Sequence, residues 1–212
     1  AFNNQPAIQA AIQAAHDAGG GIVVIPDGVY GIGGHPSGNG GIQMLDDVFL
    51  KGGGMGETVL RVLDGFNQTM TGIVRSPYDE ATDNWGIADL SLDGNRAGNA
   101  SGKVDAFYCG GLPGGTVANH DVYVLRAEAE NCSGYGFDPH EQTHRLLIAD
   151  CVAHHNKLDG FVADFVVDGE YRNNLAYAND RHGFNIVTSS NDLLMSGNVA
   201  RDNLGGGIVV QR

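Results

Sequence analysis

Residues 151–161, CVAHHNKLDGF, return in related form as NLAYANDRHGF at 174–184 and as NVARDNLGGGI at 198–208. Each copy has an asparagine, then three further residues, then a glycine followed by a hydrophobic residue. A Gly-Phe step at 136–137 precedes those at 160–161 and 183–184 and the Gly-Ile step at 207–208, so the series has four members at nearly equal intervals. A fixed period of about 20 to 50 residues is typical of a solenoid, in which each repeat stacks on its neighbours.

The content of each repeat selects the kind of solenoid. Each repeat has room for two or three short strands and shows no helical pattern, which favours a parallel β-helix over leucine-rich or helical repeats. A β-propeller is the other all-β repeat fold, but its blades need about 40 residues. The sequence therefore predicts an all-β parallel β-helix with coils of about 23–24 residues.

One convincing helix precedes the repeats, over residues 6–18 (PAIQAAIQAAHDA). Ile8, Ala11, Ile12 and Ala15 fall on one apolar stripe of this helix. We expect it to cap the exposed end of the hydrophobic tube. After it, short apolar stretches alternate with Gly, Asn and Asp, and 33 of the 212 residues are glycine. This is about twice the typical share of roughly 7%, as expected for many tight turns between short strands.

Length and charge limit the organisation and the function. We expect a single module over residues 1–212, cut at both ends, because the chain opens on the helical pattern and stops in a predicted strand. The formal net charge of −13 argues against a nucleic-acid partner, although a local cluster of cations could still hold an anionic ligand. No apolar run approaches the roughly 20 residues of a membrane span. Cys109, Cys132 and Cys151 fit neither a disulfide framework nor a zinc pattern, so we expect them to be buried.

The period converts sequence into spatial neighbours, because stacked coils place equivalent residues side by side about 4.8 Å apart. The Gly-Phe steps predict an inward hydrophobic column, with residues one and three positions later facing outward. The inward column is Phe137, Phe161, Phe184 and Ile208, and the polar columns around it hold Tyr135, Asp159 and His182; Asp138 and Asn185; His140 and Asp164; and Arg181.

These columns predict one polar patch on the outer wall. An outward polar residue is ordinarily only solvated, but here groups that donate protons, accept protons and neutralise charge converge, which favours a functional site. The other histidines carry less weight. His154 and His155 lie in a polar turn, and the rest have no repeated partner, so we do not expect a transition-metal site. The histidines without a repeated partner are His16, His35, His120 and His144.

Several long motifs resemble the catalytic A-module of bacterial alginate (mannuronan) C5-epimerases. They are SGYGFDPHEQT, DGFVADF, YANDRHGFN, LDGNR and SGKVD, preceded by AAIQAAHDAGGGIVVIPDGVY, which looks like the capping helix and first coil of that family. The resemblance runs from near residue 7 to the end. It implies a right-handed parallel β-helix that inverts C5 of β-D-mannuronate within the polymer to give α-L-guluronate.

The resemblance also implies site residues. The catalytic groups of the family fall on Tyr135, Asp138, His140 and His182, and its substrate-contacting positions on Lys103 and Arg181, with Asp159 and Asp164 at further matching positions. Two features depart from the family: Phe165 stands where a tyrosine is expected, and the family's A-module is longer. Which of Tyr135 and His140 is the base stays open at this stage.

The expected partner is alginate or polymannuronate, acted on by a secreted, monomeric protein that has no nucleic-acid or membrane partner. No organic cofactor is expected. Ca²⁺ is an expected accessory by resemblance, without assigned ligands, and the DGN segment at Asp93 is the one weak site for it.

Two other functions stay open. The same intermediate could undergo β-elimination, as in an alginate lyase, or the chain could be a non-catalytic polysaccharide-binding β-helix. The second alternative predicts aromatic stacking platforms, and the chain has a single tryptophan, Trp85.

Overall fold

The structure, a computed structural model, describes residues 2–38, 40–111, 116–187 and 190–211. Its first element is helix α1 (Gln5–Asp17), one residue earlier at each end than the predicted 6–18. Pro6 occupies the first turn, where its missing N–H costs no hydrogen bond. Ile8 and Ile12 are buried and Ala15 is partly buried, so three residues of the predicted stripe face the tube, whereas Ala11 is exposed.

The rest of the described chain is built from strands of 2 to 12 residues, one 3-10 turn (Arg96–Gly98) and connecting turns. In chain order the strands are β1 (Gly21–Val24), β2 (Gly28–Ile32), β3 (Ile42–Gln43), β4 (Val48–Lys51), β5 (Thr58–Val62), β6 (Val74–Arg75), β7 (Thr82–Asp93), β8 (Phe107–Cys109), β9 (Asn119–Glu130), β10 (Phe137–Pro139), β11 (Thr143–Ala149), β12 (Val152–His154), β13 (Phe161–Asp164), β14 (Val166–Val167), β15 (Glu170–Arg172), β16 (Leu175–Tyr177), β17 (Phe184–Val187), β18 (Leu194–Ser196), β19 (Val199–Arg201) and β20 (Ile208–Val210).

The strands form two parallel sheets that wrap around one core, which confirms the parallel β-helix. One sheet has the order β20-β17-β13-β10-β8-β6-β3, and the larger one contains β1, β4, β7, β9, β11, β15 and β18 along its main path. Neighbouring strands in each sheet come from successive coils. The predicted register is also confirmed, because Phe137 pairs with Phe161, Phe161 with Phe184, and Phe184 with Ile208.

The predicted coil length holds only from Phe137 onward. Val74 pairs with Phe107 and Phe107 with Phe137, so the two coils that end at these phenylalanines are longer than those that follow. The extra residues lie in the connections between strands, while the strands themselves keep their register. Loops tolerate such insertions because closing a longer loop costs little additional entropy.

The interior repeats the same contacts from coil to coil. The rings of Phe137 and Phe161 stack with centroids 5.0 Å apart, and those of Phe161 and Phe184 with centroids 4.8 Å apart. The three cysteines are buried free thiols, as predicted. Trp85 is also fully buried, so it is no platform for a sugar ring.

An asparagine ladder fixes one turn of the successive coils. The side-chain oxygen of Asn179 accepts the backbone and side-chain N–H groups of Asn156, and that of Asn203 accepts the same two groups of Asn179. Each side chain thus satisfies a backbone donor of the previous coil, which a buried turn requires. No helix of the described residues is long and apolar enough to cross a membrane.

Candidate active site

The predicted residues gather on the outer face of the seven-stranded sheet, called the site face below. Strand β10 organises it: Tyr135 precedes the strand, Asp138 lies within it and His140 follows it. Because side chains alternate along a strand, the inward Phe137 directs Asp138 to the outside. Tyr135 and His140 therefore approach Asp138 from opposite ends of the strand.

Asp138 is only 3% exposed although it faces outward, because neighbouring side chains cover it. Burial raises the pKa of its carboxyl well above the ordinary value of 3.8, and the charge of Asp105 raises it further. Asp164 and Asp159 act in the same direction, while Lys103 opposes them. This shift favours the protonated form of Asp138, in which a carboxyl can donate a hydrogen bond.

The Tyr135 backbone is held by a hydrogen bond to a buried carboxylate, and its ring lies near two cations. Its backbone N–H donates to Oδ1 of Asp105 at 2.8 Å. Nζ of Lys103 lies 4.4 Å from the centre of the Tyr135 ring, and the guanidinium carbon of Arg181 lies 5.8 Å from it. Burial, followed by the charge of Asp138, raises the pKa of the Tyr135 phenol, and the two cations offset only part of that shift. The phenol is thus held protonated.

Asp105 is a residue of the candidate site that the sequence reasoning missed. It is fully buried, and its Oδ2 lies 3.1 Å from Nζ of Lys103. Burial alone would lower the pKa of Lys103, but the carboxylates of Asp105 and Asp138 outweigh it and raise that pKa. The lysine therefore stays positively charged, and 43% of its side-chain surface is exposed to solvent. Asp105 lies one coil before Tyr135 in the same register, since Phe107 pairs with Phe137.

Asp159 supports the site from below instead of lining it. It is fully buried, with Oδ2 2.8 Å from Nη2 of Arg181 and 2.8 Å from the Asn185 amide that donates to it. Its Oδ1 accepts the backbone N–H of His182 at 2.9 Å. A substrate cannot reach this carboxylate, so the assignment of Asp159 as a substrate contact is corrected to a supporting role for Arg181 and His182.

Both ring nitrogens of His182 have a polar neighbour, because the side-chain amide nitrogen of Gln211 lies 3.4 Å from Nε2. The backbone N–H of Gly206 donates to its Nδ1 at 2.8 Å, so that nitrogen carries no proton. The remaining proton of a neutral imidazole then sits on Nε2, which makes His182 a hydrogen-bond donor on that side. Arg181, with 37% of its side-chain surface exposed, stands beside it as a second cation.

His140 lies between two carboxylates. Its Nδ1 contacts Oε2 of Glu141, and its Nε2 lies 3.2 Å from Oδ2 of Asp164. Burial, followed by the charge of Glu141, raises the pKa of Asp164, whereas His140 lowers it. Asp164 is therefore a partner of His140, as is Glu141, which the sequence places next to it. Phe165, the residue that departs from the family pattern, follows Asp164 with a left-handed φ of 54° and is 37% exposed.

The site face continues toward α1 through residues of earlier coils that lie in register with Asp138, called floor residues below. Asp138 pairs with Tyr108, and Tyr108 with Arg75. The Arg75 side chain is fully buried between aromatic rings, with its guanidinium carbon 3.4 Å from the ring centre of Tyr78. Its Nη2 has no hydrogen-bond partner among the described residues. The sequence reasoning missed this row because it lies before the regular repeats.

Metal ligation finds little support in the part of the chain that the structure describes, where no group of three or more His, Cys, Asp or Glu could hold a metal ion. Asp93, the weak calcium candidate, accepts the backbone N–H of Asn95 at 2.8 Å and lies 3.5 Å from Nε of Arg61. It lines a cleft of about 280 Å³ together with Arg61 and Arg96. Two guanidinium groups oppose a cation there, so these residues do not fit Ca²⁺.

Two interpretations of the other histidines were wrong. His120 and His144 do have repeated partners, because they pair in register and their rings stack with centroids 4.9 Å apart. His154 is buried at the end of a strand, and its Nε2 lies 3.0 Å from Oε1 of Glu128. Both pairs lie outside the site face and do not change its chemistry.

Comparison with known proteins gives the family. A family model described as rhamnogalacturonase A/epimerase, pectate lyase-like matches residues 1–212. The chain belongs to this pectate lyase-like family. Within the pectate lyase-like family, mannuronan C5-epimerase AlgE5 of Azotobacter vinelandii is 56% identical over 207 residues, which are 97% of this chain and 21% of that protein.

Two further relatives complete the comparison. The solved A-module of mannuronan C5-epimerase AlgE4 from Azotobacter vinelandii superposes with a TM-score of 0.95 and 54% identity, covering 100% of this chain and 56% of the other. Alginate lyase 7 from Azotobacter vinelandii is 51% identical over 189 residues, 89% of this chain and 22% of that protein. The resemblance to epimerase A-modules is thereby confirmed, and this member of the pectate lyase-like family spans 12% to 35% of the length of the curated relatives that it matches.

Proposed function

We propose that the protein inverts C5 of β-D-mannuronate residues within alginate, giving α-L-guluronate in the polymer. The observation that carries the proposal is the meeting of the buried Asp138 carboxyl with two partly exposed cations, Lys103 and Arg181, and with Tyr135 and His140 at its two sides. Relatives that are named mannuronan C5-epimerases, at more than half identity over nearly the whole chain, support it. The proposed partner is therefore an anionic polysaccharide.

The first requirement of the reaction is to neutralise the carboxylate next to C5. The C5–H bond is a very weak acid, because removal of its proton would add a second negative charge beside that of the carboxylate. Lys103 and Arg181 flank the Tyr135 ring and supply positive charge at that point. The protonated Asp138 adds a hydrogen bond to a carboxylate oxygen. Together these groups stabilise the enolate-like intermediate.

The two proton transfers divide between the two ends of β10. In our assignment, Nδ1–H of His140 donates a hydrogen bond to Glu141, and Nε2, which lies 3.2 Å from Oδ2 of Asp164, removes the proton from C5. Tyr135 acts as the acid, because its raised pKa keeps the phenol protonated until the intermediate forms. It donates its proton to C5 from the opposite face, and the configuration inverts. The Nε2–H of His182 steadies the sugar.

β-Elimination is the second candidate function, and the relative named alginate lyase 7 favours its consideration. The same intermediate loses its C4 substituent if an acid protonates the glycosidic oxygen before C5. Most relatives of comparable identity carry epimerase names, so elimination is the weaker alternative. A purely binding function gains no support from Trp85, which is fully buried and cannot stack on a sugar ring.

Incubation of polymannuronate with the protein in deuterated water, followed by proton NMR, tests the proposal. Guluronate signals that carry deuterium at C5 are the expected result. Unsaturated chain ends, with rising ultraviolet absorbance, would instead make the protein a lyase. Binding without either product would leave a binding module.

Calcium, location and assembly stay proposals. We run the assay with Ca²⁺ and with a chelator, because the resemblance implies Ca²⁺ while the described residues hold no group of three or more His, Cys, Asp or Glu that could bind a metal ion. Turnover that persists in chelator would remove Ca²⁺ from the proposal. An extracellular location follows from a polymeric substrate and is tested by fractionating the producing culture. A monomeric state is tested by light scattering.

A further inference from the structure

Tyr108 is a floor residue of the site face that neither the motifs nor the proposed mechanism uses. It lies in the middle of β8, beside Asp138 in β10, and one coil away from it along the helix axis. Successive coils lie about 4.8 Å apart, a step comparable to the advance of one sugar residue in an extended polymer. If the reacting sugar lies over Asp138, the next one lies over Tyr108.

The Tyr108 ring is fixed on both sides. The imidazole of His140 stacks on it, with centroids 5.8 Å apart and planes inclined by 24°. The guanidinium carbon of Arg75 lies 4.9 Å from the ring centre, and the Tyr78 ring meets it edge to face at 5.8 Å. A side chain held this way has lost its rotamer freedom before any ligand arrives, so ordering it costs little on binding.

The Tyr108 hydroxyl is unused. It makes no hydrogen bond within the described residues, although only 5% of the residue is exposed. Burial, followed by the charges of Tyr78 and Asp138, strongly raises the pKa of this phenol, so it stays a neutral donor. A donor without a partner on a ring that packs against the Arg75 guanidinium suits an anionic or hydroxylated sugar.

We propose that Tyr108 is a specificity-determining residue that forms the subsite next to the reacting sugar. Its hydroxyl donates a hydrogen bond to the neighbouring uronate residue, and its ring keeps the His140 imidazole in the plane needed for proton removal. This inference rests on the proposed function, since it takes its ligand class, a polyuronate, from that function.

The experiment compares Tyr108→Phe, which keeps the ring stack, with Tyr108→Leu, which removes it. Steady-state kinetics on oligomannuronates and calorimetric binding of the same oligomers are measured for both. Tyr123→Phe is the matched control, because Tyr123 lies in the larger sheet and packs against Phe49. Circular dichroism verifies folding of each variant.

For Tyr108→Phe we expect KM and Kd to rise about fivefold to tenfold with kcat within about twofold, since one hydrogen bond to a bound ligand is lost. For Tyr108→Leu, kcat should also fall because His140 loses its support. A Tyr108→Phe protein with the KM and Kd of the parent would overturn the inference. A parent that binds the oligomers without turnover would overturn the proposed function alone, because the Kd comparison still tests Tyr108. A parent that binds none would overturn both.

Discussion

Asp159 and Arg181 form an ion pair of 2.8 Å in which the carboxylate is fully buried and the guanidinium is partly exposed. The pair connects the interior of one coil to the surface of the next, because Asp159 also accepts the backbone N–H of His182. A buried carboxylate with three donors cannot move without releasing them. Arg181 and His182 are therefore held in place before substrate arrives, which is how an active site lowers the cost of orientation.

Replacement of Asp159 by asparagine tests this connection. The amide keeps an acceptor for the His182 N–H but loses the charge that holds Arg181, so kcat/KM should fall about tenfold to a hundredfold with KM affected most. A double-mutant cycle with Arg181→Ala is the measurement. Strong non-additivity is expected, since both changes release the same guanidinium. Additive effects would show that Asp159 acts without Arg181.

Replacement of Tyr135 by phenylalanine tests the acid. The ring and its contacts with the two cations remain, so binding should stay within about twofold, while kcat falls by about 10² to 10⁴ through loss of the proton donor. NMR-monitored epimerisation and calorimetry measure the two quantities separately. Tyr123→Phe on the other sheet is the control. A Tyr135→Phe protein with more than half the parent kcat would move the acid to another group.

The columns around 135–187 could be predicted from sequence because equal spacing between repeats fixes the register. The neighbours Tyr135, Asp159 and His182 follow directly from three Gly-Phe steps. The burial of each side chain could not be predicted in the same way. Whether Asp159 lies on the surface or beneath it depends on which side chains of the neighbouring coil fold over it, and a repeat pattern carries no such information.

The earlier half of the site face was hidden for a different reason. Arg75, Tyr108 and Asp105 occupy the same columns as later residues, but the coils that separate them are longer and unequal in length. Insertions in the loops remove the sequence period while leaving the stack of strands intact. Lys103 was found only through the family motif SGKVD, since its position in a loop gives it no column.

The asparagine ladder predicts where stability resides. Asn179→Ala removes the acceptor of the Asn156 N–H and the donor to the Ala153 carbonyl, both in a buried turn. Unsatisfied buried groups of this kind cost about 2–4 kcal/mol in total. Urea unfolding measures the loss. Gln13→Ala, on the exposed face of α1, is the control and should change the free energy of unfolding by less than about 0.5 kcal/mol. Equal effects of the two changes would mean that the ladder contributes nothing specific.

Asp138→Asn should separate stability from activity. Because burial raises the pKa of Asp138 in the folded state above its ordinary value of 3.8, the folded protein binds more protons than the unfolded chain above that pH. This carboxyl therefore lowers the free energy of unfolding as the pH rises from about 4 toward its folded-state pKa. Asparagine has no such proton, so the variant should be more stable than the parent at neutral pH, with the difference shrinking toward pH 4. Its kcat should fall at the same time, because an amide N–H is a weaker hydrogen-bond donor to the substrate carboxylate than a carboxyl O–H. Urea unfolding across this pH range measures the free energy of unfolding, and epimerisation rates measure kcat. A variant that is less stable than the parent at neutral pH would show that Asp138 is ionised in the folded protein.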